Sequence, residues 1–216
     1  MTGIASTRLR DCTRCPRLVA HHAEVRQSYP EYHAAPVGSW GDPRANIVIV
    51  GLAPGLHGAA RTGRAFVGDA SGNFLFAALH RHGFSTSAEP AKARLRNMRI
   101  TNVVKCLPPG NAPTATEVNA CAAHLELELM RYFPLGARQP RVLITLGGVA
   151  HRAVARNIGL KEAAFGHAAV HSLSAKRHVI SSFHPSRLNV NTGRLTAPMF
   201  DEVFTKAKAL LAQTAP

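Results

Sequence analysis

The chain has 216 residues, 46% of them apolar, which is enough to bury a core of its own and excludes disorder as a description of the whole. Lys and Arg number 26 against 12 Asp and Glu, a net charge of +14, and twenty of the 26 are Arg, whose planar fork suits phosphate oxygens. That balance favours a nucleic acid over an anionic membrane surface as partner, and the absence of any run of 18 apolar residues or of an apolar stretch in MTGIASTRLRDC predicts a soluble intracellular protein with no membrane span and no secretory signal.

In chain order, residues 9–27 predict a helix that carries Cys12 and Cys15, followed by a loop rich in Tyr, Pro and Gly up to Asp42. Asn46–Leu52 is a continuous β-branched run, the mark of a strand covered on both faces, and it ends in the turn Gly51-Leu-Ala-Pro-Gly55. Residues 55–72 read as a Gly-rich loop. Ser71 is placed to cap a helix through about His82, with Phe74, Leu75, Ala78 and Leu79 on one face. Met98–Val104 predicts a second strand, before the proline-rich CLPPGNAP. Thr114-Ala-Thr-Glu117 reads as a capping box opening a helix to Tyr132. Arg141–Leu146 predicts a third strand, and Gly147-Gly148 opens a helix to Ile158. Lys176–Ser182 predicts a fourth strand ending in Phe-His-Pro-Ser, and Ala197–Ala212 a last amphipathic helix. Strand then helix, four times, implies an α/β fold with a parallel sheet covered on both faces. Ligands in such folds sit outside the carboxyl ends of the strands.

The four cysteines fall as Cys12-Thr-Arg-Cys15 and as Cys106 and Cys121, which tie the N-terminal segment to the middle of the chain and argue for one domain over residues 1–216. A pair spaced C-x-x-C with two distant partners can complete a four-sulfur shell, suited to zinc or to an iron–sulfur cluster, and the spacing does not choose between them. Unligated buried thiols or a redox pair are the alternatives. Arg14, Arg17 and Lys105 lie nearby in sequence and are expected to offset thiolate charge and lower the cysteine pKa values.

The chemistry-bearing residues gather at the predicted strand ends. Gly51–Gly55 permits close backbone approach, with free N–H groups. Asp69, one of four aspartates, sits with Phe66 among glycines and arginines. Asp69 reads either as a carboxylate that orients a water or faces a developing cation, or as the N-cap of the next helix. Phe66 reads as core or as a plate for a planar ring. His184, held by Pro185 and small residues, suits a neutral donor to a leaving oxyanion. Leu188 beside Arg187 reads as an apolar wedge next to a phosphate contact.

Three blocks, GLAPGLHGAARTGRAFVGDASGNFL, ITNVVKCLPPGNAPT and FHPSRLNVNTGRLT, together with the four cysteines, resemble the uracil-DNA glycosylase superfamily over about Asp11 to Thr196, and its iron–sulfur families 4 and 5 in particular. The resemblance implies a three-layer α/β/α sandwich with a central four-stranded parallel sheet. It implies a monofunctional glycosylase of base excision repair, cytoplasmic and associated with the nucleoid through DNA, monomeric, acting on DNA that contains deaminated bases: uracil, and with it hypoxanthine and xanthine. Family 4 has an acid where Leu52 stands here, so family 5 is the better match, with Asp69 as its catalytic carboxylate. By the same resemblance Cys12, Cys15, Cys106 and Cys121 would hold a [4Fe–4S] cluster, with zinc as the fallback. Asn111 would sit near the sugar and water, and His184 would face the base oxygen. Phe66 would stack on the flipped base, against a rim of Gly51, Leu52, Ala53 and Gly55, and Leu188 would fill the gap in the stack beside Arg187. Asn102 stands where family 4 reads the uracil edge, and its amide can pair with both a donor and an acceptor. The readings from other classes are a non-catalytic module that binds single-stranded or damaged DNA, and a small-molecule nucleoside hydrolase, for which the charge has no use.

Overall fold

The structure, a computed structural model, describes residues 9–160 and 163–213, so the predicted domain bounds at 1 and 216 lie outside the described residues. It is an α/β sandwich around a mixed sheet. The strands are β1 (Trp40–Gly41), β2 (Ile47–Gly51), β3 (Met98–Asn102), β4 (Arg141–Leu146), β5 (Val170–Ser174) and β6 (Arg177–Ser182), in the order β1-β3-β2-β4-β6-β5. The helices are α1 (Pro16–Ser28), α2 (Ala59–Thr62), α3 (Ala70–Arg81), α4 (Ala115–Tyr132), α5 (Gly148–Asn157), α6 (Arg187–Asn191) and α7 (Ala197–Ala212).

The sheet has six strands, where the sequence predicts four. The four expected strands pair in parallel, and β1 and β5 add antiparallel edges. The strand period of two sorts the apolar side chains. Ile47, Ile49, Ile100, Val142, Ile144 and Ile180 pack against α3 and α7. Val48, Val50, Leu143 and Val179 face the other way, against α1, α4 and α5. That alternation makes the three layers. β2 sends the chain to β3 on one side, while β4 and β6 continue on the other, so the order reverses at β2 and opens a crevice over its carboxyl end.

Three local expectations change. Cys12 lies outside any α-helix, after a single turn at Leu9–Asp11, and Cys15 is the residue before α1, which Pro16 opens. Asp69, rather than Ser71, caps α3, accepting from the Gly72 N–H at 2.8 Å. The stretch 55–72 is not all loop, because α2 forms between Gly58 and Gly63. The capping box at Thr114 forms as expected, and Glu117 also accepts two hydrogen bonds from Arg17 at 2.8 Å, fastening α1 to the start of α4. Among the described residues no helix is long and apolar enough to cross a membrane.

Candidate active site

The segments after β2, β3 and β6 converge on one pocket of about 710 Å³. Leu52, Ala53, Gly55, Phe66, Asp69, Asn102, Asn111, His184 and Arg187 of the predicted site all line it. Gly51 lies beneath the floor. A Cβ there would press on Asn102 Oδ1 and the Phe66 ring, so only glycine lets those two groups meet over the strand end. Phe66 is buried and held in the left-handed region (φ 60°), a conformation that costs a non-glycine residue on the order of 1–3 kcal/mol and is kept only where the surroundings impose it. The constraint is visible: the Phe66 carbonyl occupies the space a side chain on Gly72 would need. Asn102 is buried at the end of β3, and its Oδ1 has no hydrogen-bond partner among the described residues. An orphaned buried acceptor costs about 1–3 kcal/mol, which a ligand donor would recover.

Asp69 takes its predicted place as the N-cap of α3 and also presents its second carboxylate oxygen to the pocket. Oδ1 caps α3, while Oδ2 lies against Gly58, where any side chain would overlap it, and 3.5 Å from where a Cβ on Gly55 would sit. Asn111 Oδ1 is 3.9 Å from that same point, so carboxylate and amide flank Gly55. Asn111 is the second candidate in the left-handed region (φ 58°), which asparagine tolerates, at the end of the turn Pro109–Asn111.

His184 follows β6 and packs its Cβ 3.3 Å from the position of a side chain on Gly147, whose φ of 94° also demands glycine. Its ring centroid is 6.0 Å from that of Phe66. Asn189 Nδ2 donates to the His184 carbonyl at 2.8 Å. One residue earlier, the Phe183 N–H donates to His167 Nδ1 at 3.2 Å, and His167 Nε2 donates to the Met199 carbonyl at 2.9 Å. Burial pushes the His184 pKa below its ordinary value, and the smaller pull of the Asp69 carboxylate does not reverse this, so the imidazole is neutral near pH 7.

The basic groups divide. Arg61 clamps its own loop, donating to the His57 and Gly68 carbonyls at 2.8 and 3.0 Å, and Arg64 lies over the Trp40 ring. Arg187 is exposed at the pocket with no hydrogen-bond or ion-pair partner among the described residues, and neighbouring Leu188 is 71% exposed outside the lining. Sequence reasoning missed Gly58, Ser186 and His57, which also line the pocket. Gly58 and His57 lie inside the HGAARTGR stretch, whose density of glycines was the available signal.

Cys12, Cys15, Cys106 and Cys121 line one small cavity with Leu9, Leu18, Val104 and His124. Cys121 Sγ accepts from the Lys105 N–H at 3.3 Å, and His124 Nε2 lies 3.3 Å from Cys12 Sγ. The expected lowering of the thiol pKa values is not found. Burial raises Cys15 and Cys121, and burial with the neighbouring thiols pushes Cys106 up to about 12. Arg17 is spent on Glu117, and the Lys105 ammonium turns away, fully buried, to Glu128 Oε2, the Asn102 carbonyl and Thr101 Oγ1 at 2.6, 2.7 and 2.7 Å. Among the described residues no three His, Cys, Asp or Glu side chains stand close enough to hold a single metal ion.

The family model of the uracil DNA glycosylase superfamily matches residues 39–208. Over 212 residues the chain is 44% identical to a type-5 uracil-DNA glycosylase of Thermus thermophilus, covering 94% of each. A type-5 uracil-DNA glycosylase of Pyrobaculum aerophilum is 44% identical over 210 residues, covering 94% of this chain and 90% of the relative. A type-4 uracil-DNA glycosylase from the same organism is 31% identical over 159 residues, covering 73% and 66%.

Proposed function

The chain belongs to the uracil DNA glycosylase superfamily, hydrolases of N-glycosidic bonds in DNA, and on that premise we propose that it removes uracil by the groups gathered on the pocket at the strand ends. The carrying observation is the meeting of Asp69, Asn111, His184 and an unpartnered Asn102 amide around that pocket. The base must leave the duplex to be reached. It stacks on Phe66, and Asn102 Oδ1 accepts from its ring N–H while Nδ2 donates to a carbonyl oxygen. The transition state carries a cationic sugar and an anionic base. Asp69 Oδ2 and Asn111 face the sugar and orient the attacking water, and neutral His184 donates to the base oxygen as charge builds there. Arg187 meets a phosphate, and exposed Leu188 enters the vacated stack. Among the described residues no lysine lines the pocket, which supports hydrolysis without a covalent amine intermediate, leaving an intact strand with an abasic site.

The four cysteines fit a cluster ligated by one thiolate at each iron. They share a small cavity whose burial favours the neutral thiols of Cys15, Cys106 and Cys121, so a positively charged centre is what would favour their deprotonated, ligating form. We assign a [4Fe–4S] cluster there. Held by Cys12, Cys15, Cys106 and Cys121, it would join the segment before α1 to the segment after β3 and to α4, and would supply stability rather than a step of hydrolysis.

The test is base release from labelled oligonucleotides with one uracil or one hypoxanthine, single- and double-stranded, with alkali to reveal abasic sites. Release of uracil well ahead of hypoxanthine is expected, with the preference lost in Asn102→Ala. Equal release of both bases by the unaltered protein removes Asn102 from base choice. No release by a folded protein that still binds DNA leaves a binding module in place of an enzyme.

A further inference from the structure

His57 lines the pocket from its rim. It is exposed, whereas Phe66 and Asn102 on the floor are buried. An exposed histidine ordinarily samples several rotamers, and fixing one costs conformational entropy. This ring is fixed by three contacts. Tyr32 Oη lies 2.8 Å from His57 Nδ1, and the Tyr29 and Tyr32 rings meet it edge-on at centroid distances of 5.8 and 6.0 Å. The two tyrosines stack on each other at 4.6 Å. Tyr29 ends α1 and Tyr32 follows in the next loop, so a remote part of the chain is spent on orienting one surface imidazole. Of a phenol and an imidazole N–H, the phenol is the stronger acid. Tyr32 therefore donates to Nδ1, and the ring hydrogen resides on Nε2. Nε2 has no partner among the described residues.

What an outward donor at the rim can meet follows from what fills the pocket. With the base over Phe66 and Asn102, and the sugar beside Asp69 and Asn111, the rim faces the backbone on either side of the flipped nucleotide. Its oxygens carry the negative charge that the +14 chain is built to meet. We infer that His57, oriented by Tyr32, donates through Nε2 to a non-bridging oxygen of a phosphodiester adjoining the nucleotide in the pocket. This rests on the glycosylase reading and adds a specific phosphate contact to it.

The test uses the whole protein and a 2′-fluoro-deoxyuridine oligonucleotide, which resists hydrolysis, made with ordinary phosphates or with one neutral methylphosphonate in turn at each position flanking the uracil. His57→Ala is expected to bind the ordinary oligonucleotide roughly tenfold more weakly, as for loss of a hydrogen bond to a charged group, and Tyr32→Phe to lose a smaller factor because the ring is kept but freed. At one methylphosphonate position the unaltered protein should fall to the affinity of His57→Ala, and the variant should fall no further. On hydrolysable DNA the loss should show as a rise in the protein concentration that gives half the maximal single-turnover rate. Unchanged binding overturns the inference, as does a loss that is the same at every methylphosphonate position or a loss confined to the single-turnover rate. Failure of the unaltered protein to release uracil strikes the glycosylase reading instead.

Discussion

Replacing Asp69 by asparagine and by alanine separates the two jobs of its carboxyl group. Oδ1 closes the first turn of α3 through the Gly72 N–H at 2.8 Å, and Oδ2 stands against Gly58 at the pocket. Asparagine is as good an N-cap as aspartate, so Asp69→Asn keeps α3 closed and should leave the melting temperature where it was. Asp69→Ala loses the cap, worth about 1 kcal/mol, a fall of about 2–4 °C for a chain of this length. Both lose the carboxylate, and removing a group that orients and deprotonates water slows the chemistry by about 10²–10⁴-fold, or roughly 2.7–5.4 kcal/mol of barrier. The stability term is too small to produce that rate loss in a protein that remains folded. Single-turnover base release and thermal unfolding on the same preparations give both numbers. A rate for Asp69→Asn near that of the unaltered protein, with only the alanine variant impaired, would refute the catalytic assignment and leave a helix cap.

Stability should depend on His22 between about pH 6.5 and 4. Burial, with Arg26 and the neighbouring histidines, lowers its pKa to about 4, and its neutral Nε2 accepts from the Leu107 N–H at 3.0 Å. Below about pH 6.5 the unfolded chain takes up a proton that the folded chain refuses, so stability falls with pH through this window, by up to on the order of 3 kcal/mol. Denaturant titrations across it should show a shallower slope for His22→Gln, and parallel curves would contradict the sign. Cys106→Ser should remove visible cluster absorption and lower the melting temperature more than it lowers the rate of the surviving folded protein, and an unchanged absorption and melting temperature would refute the ligand set. Gly58→Ala forces the Asp69 carboxylate aside, so base release should slow at least tenfold while DNA affinity holds, as measured by single-turnover rates beside equilibrium binding.

What the sequence makes legible is local or periodic. The Thr114–Glu117 box opens α4 by contacts within four residues, and the β-branched runs of β2, β3 and β4 announce buried parallel strands. The edges are not legible. β1 is two residues long, and Val170–Ser174 alternates exposed and half-buried positions with polar residues, so neither stands out from loop. Nearness in sequence misled at the cysteines. Lys105 adjoins Cys106, yet its ammonium is drawn to Glu128, which lies 23 residues further on, and burial decides the thiols instead. His57 escaped notice because what marks it is Tyr32, 25 residues away, brought alongside only by the fold.

The buried ammonium of Lys105 joins the two halves of the molecule more closely than their separate descriptions suggest. All three of its hydrogens are engaged, on Thr101, on the backbone of Asn102 and on Glu128 of α4, while its own N–H reaches Cys121. Asn102 at the pocket and Cys106 and Cys121 at the small cavity are therefore joined by a single short span of chain and its hydrogen bonds, anchored from within. A disturbance of α4 around Cys121 would reach the Asn102 carbonyl at the pocket through Glu128 and the Lys105 ammonium, without passing through the sheet.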